Sequence, residues 1–147
     1  TLLVLDEAYG ETAPAGALPA DDAWVYGGPV RLQQVVLNVV SNALDAMQDS
    51  DSRRLWIGIE TDDAHATLTV RDSGAGIAPE VMDNIFVPFY TTKEVQQGLG
   101  LGLSISYGIV RGFGGGIVAR NAAGGGAEFV IRLRRAPSPV ESRAGAA

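Results

Sequence analysis

The chain has no cysteine, which excludes disulfides and thiolate metal sites. His65 is its only histidine, so a multi-histidine metal centre is excluded too. Positive charge is scarce: 11 Lys and Arg stand against 17 Asp and Glu, a formal net charge of −6. That balance argues against a nucleic-acid binder, which usually shows a basic face. No apolar run approaches the roughly 18 residues of a membrane span, so no membrane contact is expected of this domain. Thr1–Asp6 has no basic flank followed by a long apolar run, and no signal peptide is expected there. The acidity also sets a condition. A bound polyphosphate would need backbone N–H groups, a local cation or a metal ion, because bulk charge gives no help.

What is present fits one domain. A chain of 147 residues can bury a sizeable core. Residues 1–135 are expected to form it, with a Pro-, Ala- and Ser-rich disordered tail beyond, over residues 136–147. Leu2–Leu5 and Trp24–Tyr26 read as short strands, and the Ala/Pro/Gly-rich stretch Ala13–Ala20 as a loop. Pro29–Met47 reads as the main helix. A proline suits its first turn, and Leu32, Val35, Val36, Val39, Ala43 and Met47 recur at helical spacing. Asn38, Asn42 and Asp45 then share a polar stripe beside that apolar face.

Leu55–Glu60 and Thr67–Arg71 alternate and form a hairpin, with Asp72 at its end. Pro79–Ile85 reads as a short helix, and Phe86–Gln97, without clear period, as a mobile loop. Gly102–Phe113 is a second long helix with Leu103, Tyr107, Val110 and Phe113 at core spacing. Ile117–Arg120 and Glu128–Leu133 are strands joined by the turn Gly124–Gly126. The expected fold class is α/β (α+β): a two-layer sandwich, helices on one face of a mostly antiparallel sheet.

Four features carry chemistry. The Asp72 carboxylate before Gly74 and Gly76 can accept a hydrogen bond from an amino group such as adenine N6, though such turns more often only close a strand. Gly98, Gly100 and Gly102 run into a helix whose first N–H groups can meet an anion. They match neither a Walker A loop, for want of a following Lys-Ser or Lys-Thr, nor a dinucleotide fingerprint, for want of a leading strand. Asn38 and Asn42 offer amide oxygens suited to Mg²⁺, or simply solvate a helix edge. Lys93 can close over phosphates, or lie on the surface. Phe86, Pro88 and Phe89 suit a hinge or a small core cluster, and His65 reads as a surface residue without a special role.

In this order the motifs resemble the ATP-binding catalytic domain of sensor histidine kinases. Its wider superfamily holds gyrase B, the ninety-kilodalton heat-shock chaperone and the mismatch-repair ATPase. The resemblance runs from about Gly28 to Leu133. Asn38–Ala43 matches the N box, Asp72–Gly76 with Ile77 the G1 box, Phe86–Phe89 the F box and Gly98–Leu103 the G2 box. Gly124–Phe129 resembles the closing glycine turn and strand. The resemblance implies ATP and Mg²⁺ as ligands, with Asn42 holding the metal and Asn38 in support. It implies adenine recognition by Asp72, with Gly74, Gly76 and Ile77 around the base. Phosphates would lie on Gly98, Gly100, Leu101 and Gly102, under a lid that carries Lys93.

Gly98–Gly115 resembles the subgroup that senses C4-dicarboxylates. Gly28 departs from the aspartate that often precedes the N-box helix. The implied acceptor is a histidine on a separate dimerisation domain of the same kinase, with a response regulator downstream. The phosphoacceptor histidine is not in this chain, which is expected to be part of a longer protein. A cytoplasmic domain is implied, with a parent that can be anchored in the inner membrane. Alternatives from other classes are an ATP-hydrolysing switch, an anti-sigma serine kinase and a non-catalytic nucleotide-binding module.

Overall fold

A computed structural model describes residues 2–6, 11–15, 23–90 and 101–137. Six strands form one sheet in the order β2-β1-β3-β4-β6-β5, every neighbouring pair antiparallel. The strands are β1 (Leu2–Asp6), β2 (Glu11–Ala15), β3 (Arg54–Thr61), β4 (His65–Asp72), β5 (Gly116–Asn121) and β6 (Ala127–Arg134). The helices are α1 (Pro29–Ala46), α2 (Pro79–Met82) and α3 (Gly102–Gly112). The expected sandwich is therefore present.

Register fixes which side chains meet the helices. Leu55, Ile57 and Ile59 of β3 face Asp72, Val70 and Leu68 of β4. Val70 and Leu68 in turn face Phe129 and Ile131 of β6. Since side chains alternate, all of these share one face. Val35, Val39 and Ala43 of α1 and Met47 just beyond its end, four residues apart in series, close the core over Leu55, Val70, Phe129 and Ile131. Burying each such large apolar side chain contributes roughly 1.5–3 kcal/mol. α1 begins as its proline predicts, with Pro29 in the first turn after an extended Gly28.

Four expectations need correction. Ala13–Ala15 lies in β2 rather than in a loop. Pro14 stands there in the outermost described strand, the place in a sheet where proline is found. The short helix stops at Met82, and Asp83 and Asn84 continue as turns, with Asn84 N–H on Val81 O at 2.9 Å. Both residue types compete with helix by local bonding.

On α3 the buried residues are Ser106, Ile109 and Val110, whereas Tyr107 is 41% exposed and packs against the Phe86 ring at 5.4 Å. The C-terminal boundary also shifts. Arg134 ends β6, Arg135 pairs with Val25, and Ala136 N–H reaches Trp24 O at 2.8 Å. The rest of the expected tail, residues 138–147, lies outside the described residues, as do residues 91–100 of the expected mobile loop. Among the described residues no helix is long and apolar enough to cross a membrane.

Candidate nucleotide site

The site is built at the end of β4, between two neighbouring strands. The period of two that buries Ala66 and Val70 also turns Asp72 inward, where it is 1% exposed. A buried carboxylate is expensive unless it is hydrogen-bonded. Here Oδ1 accepts the N–H of Gly74 at 2.8 Å and that of Ala127 at 3.1 Å. Both bonds end on Oδ1, and among the described residues no donor reaches Oδ2. Among the described residues, then, the protein holds Asp72 through one of its two carboxylate oxygens.

The glycines around it are demanded by close approach. A Cβ on Gly74 would stand 2.4 Å from the carbonyl oxygen of Ala46 at the end of α1. A Cβ on Gly126 would stand 1.9 Å from Asp72 O, and Gly126 also has a φ of +82°. The loop 72–77 is therefore wedged between the end of α1 and the tip of the β5–β6 hairpin. Ser73 holds its first turn: its Oγ accepts Arg54 N–H at 2.9 Å and donates to Ser52 O at 3.0 Å.

Asn121 clasps the other end of the loop. Its Oδ1 accepts Ile77 N–H at 2.7 Å and its Nδ2 donates to Ile77 O at 2.8 Å. Sequence reasoning missed Asn121, because nothing local marks a partner across the sheet. Gly126 and Ala127 were legible only as members of the glycine turn.

α1 and α3 meet beside this loop. Asn38 donates its amide to Gly102 O at 3.0 Å and to Ser106 Oγ at 3.1 Å. It is thus engaged with the start of α3 instead of merely solvating the helix edge. Asn42 stands one turn further along the same stripe and is half-buried. α3 begins at Gly102 after Leu101, and no side chain among the described residues caps it. Ile77 packs against the core cluster. Phe86 also packs there, while Phe89 is exposed and adopts a φ of 64°. Lys93, Gly98 and Gly100 lie outside the described residues.

No cluster of three or more His, Cys, Asp or Glu among the described residues could hold a metal ion by itself.

Solved structures define the class. The mycobacterial sensor histidine kinase MprB superposes with a TM-score of 0.68 at 29% identity, over 77% of this chain and 78% of that one. The nucleotide-free catalytic domain of histidine kinase ThkA gives 0.66 at 33% identity, over 76% and 71%. The fold is that of a histidine-kinase catalytic domain. Residues 27–137 match the family described as histidine kinase-, DNA gyrase B-, and HSP90-like ATPase, and the chain belongs to that family. The C4-dicarboxylate transport sensor protein DctB of Pseudomonas aeruginosa is 40% identical over 121 residues, 82% of this chain and 19% of that protein. DctB of Rhizobium meliloti is 40% identical over 119 residues, 81% and 19%. The chain thus spans about a fifth of the length of these relatives.

Proposed function

We propose that the domain binds ATP with Mg²⁺ and passes the γ-phosphoryl group to a histidine on a dimerisation domain of the same kinase, which then serves a response regulator. The observation that carries this reading is Asp72, buried and held among the described residues through Oδ1, with no described donor on Oδ2. Oδ2 takes the adenine amino group. Gly74 and Gly76 keep the loop backbone low beneath the base, and Ile77 packs at its edge. The N–H groups of Gly98, Gly100, Leu101 and Gly102 face the phosphates, and Lys93 adds a point charge. Asn42 supplies the protein oxygen for Mg²⁺, with Asn38 behind it. Mg²⁺ held there would supply neutralisation of phosphate charge.

In the transfer, the bond from the γ-phosphorus to the bridging oxygen breaks and a bond to the histidine ring nitrogen forms. ADP leaves, and the proton on the other ring nitrogen is released. The domain's part is positioning and charge neutralisation. The relatives' names support a parent in the C4-dicarboxylate-sensing subgroup. Calorimetry with ATP, with and without Mg²⁺, tests the first half. Label transfer in trans to the parent's dimerisation domain tests the second. Absence of ATP binding by the chain would overturn the reading.

A further inference from the structure

We infer that Asn121 is a positioning residue that sets the shape of the adenine pocket from the opposite side to Asp72. The inference rests on the nucleotide reading above. Its amide bonds both backbone groups of Ile77, at 2.7 and 2.8 Å. An amide in this orientation does so with two atoms, its oxygen accepting from the N–H and its nitrogen donating to the carbonyl of the same residue. Among the described residues Ile77 has no other backbone bond, so this clasp alone ties down that end of the loop.

The placement of Asn121 links it to Asp72. Asn121 faces Ala127 across the β5–β6 ladder, and Ala127 N–H is one of the two donors on Asp72 Oδ1. A single cross-strand pair therefore holds both ends of the loop 72–77. The hairpin tip behind the pair is itself fixed. Ala122 N–H reaches Gly126 O at 2.9 Å, and Arg71 Nη2 reaches Ala123 O at 3.0 Å. Gly76, with a φ of +79°, lies so close that a Cβ there would stand 2.9 Å from Asn121 Oδ1. The distance between the free oxygen of Asp72 and the Ile77 side chain is thus dictated by the β5–β6 hairpin rather than by the loop. A base that fits this width and offers an amino donor to Asp72 is selected, and one that presents a carbonyl there is rejected.

The test compares the intact chain with Asn121→Ala and Asn121→Asp. The second is nearly isosteric; it keeps the acceptor for Ile77 N–H and puts a carboxylate oxygen against Ile77 O. Dissociation constants for ATP, ADP and GTP are measured by calorimetry, and thermal midpoints without nucleotide by circular dichroism. Both variants should weaken ATP and ADP by the same factor, about five- to tenfold, as expected for two solvent-accessible hydrogen bonds. The ATP-over-GTP preference should narrow by a similar factor, with the thermal midpoint little changed. Unchanged ATP affinity and preference in both variants, while the parent chain binds ATP, would overturn the inference alone. A lowered midpoint with equal losses for ATP and GTP would also overturn it, by reducing Asn121 to a structural role. A parent chain that binds no ATP would overturn the nucleotide reading itself, and the inference with it.

Discussion

Asn38 on α1 and Ser106 on α3 share one carbonyl. Gly102 O accepts the Asn38 amide at 3.0 Å and the Ser106 hydroxyl at 2.9 Å, and Asn38 also donates to Ser106 Oγ at 3.1 Å. Ser106 is fully buried, at 0% exposure. This triangle fastens the first turn of α3 to the helix that carries Asn42. Ser106→Ala should destabilise the fold by about 1 kcal/mol, since Asn38 keeps Gly102 O as partner. Asn38→Ala should cost more, about 1–2 kcal/mol, because both of its donors go. Urea unfolding of the singles and the double checks the coupling. Simple addition of the two losses would mean that the side chains act independently.

The Asp72 carboxylate has two separable duties, and two substitutions separate them. Asp72→Asn keeps one carbonyl oxygen for the N–H groups of Gly74 and Ala127. The fold should therefore survive. The second oxygen becomes an NH₂ group and cannot accept from an adenine amino group. ATP affinity should fall at least about tenfold with little change in thermal midpoint. Asp72→Ala instead orphans the buried N–H of Ala127 and the part-buried N–H of Gly74 and should destabilise the chain by about 1–3 kcal/mol. Equal ATP affinity in Asp72→Asn and the parent chain would remove Asp72 from base recognition.

Asp72 was legible because it ends a hairpin strand and its glycine neighbours follow at once in the chain. The β3–β4 hairpin and the buried face of α1 were legible because both rest on local periodicity. Asn121 was not, since its partner Ile77 lies 44 residues away and no local pattern announces a side-chain clasp. Tyr107 fits helical core spacing as well as Ile109 does, and the docking angle of α3 decides between them. β2 was hidden by Pro14, whose effect depends on whether a strand has one neighbour or two. In each case the deciding fact is tertiary.

Gly126 and Gly125 offer a controlled comparison at the hairpin tip. Both have positive φ, +82° and +101°, so alanine at either is strained by about 1–3 kcal/mol. A Cβ on Gly125 meets nothing within 4 Å, whereas one on Gly126 would stand 1.9 Å from Asp72 O. Gly126→Ala should therefore cost about 1–3 kcal/mol more than Gly125→Ala. It should also weaken ATP, because relief of the clash displaces Asp72. Matching stabilities by chemical denaturation would show that the hairpin tip yields without disturbing the loop.

Asp62, at the turn between β3 and β4, provides a pH signature far from the site. The N–H of Ala64 first, then that of His65, holds its carboxyl below the ordinary value of 3.8, with smaller help from the charges of His65 and Arg132. A folded-state pKa below the unfolded one gives stability that is fully present above about pH 4. That stability is lost as pH falls through the folded value. A carbon-detected NMR titration of Asp62 should therefore show a midpoint below 3.8. Asp62→Asn should flatten this part of the acid dependence.

Kinase and hydrolase readings diverge at Asn38. In the ATP-hydrolysing members of the superfamily, a glutamate stands one turn before the Mg²⁺ asparagine and activates water. An amide has no useful basicity near pH 7, and here its nitrogen is already tied to Gly102 and Ser106. A histidine acceptor needs no such base to begin attack, because its ring nitrogen carries a lone pair. His65, the chain's one histidine, stands away from the Asp72 end of the fold. His65 and Asp72 occupy opposite ends of β4, which places them about 23 Å apart at 3.3 Å per residue. The His65 Nδ1 is moreover in contact with Arg132 Nη2 at 2.9 Å. With labelled ATP the chain should release phosphate very slowly and take up no label, and His65→Ala should behave alike. Given the parent's dimerisation domain, both should phosphorylate that domain's histidine. Rapid steady-state phosphate release by the chain alone would sink the kinase reading and leave the ATPase switch in its place.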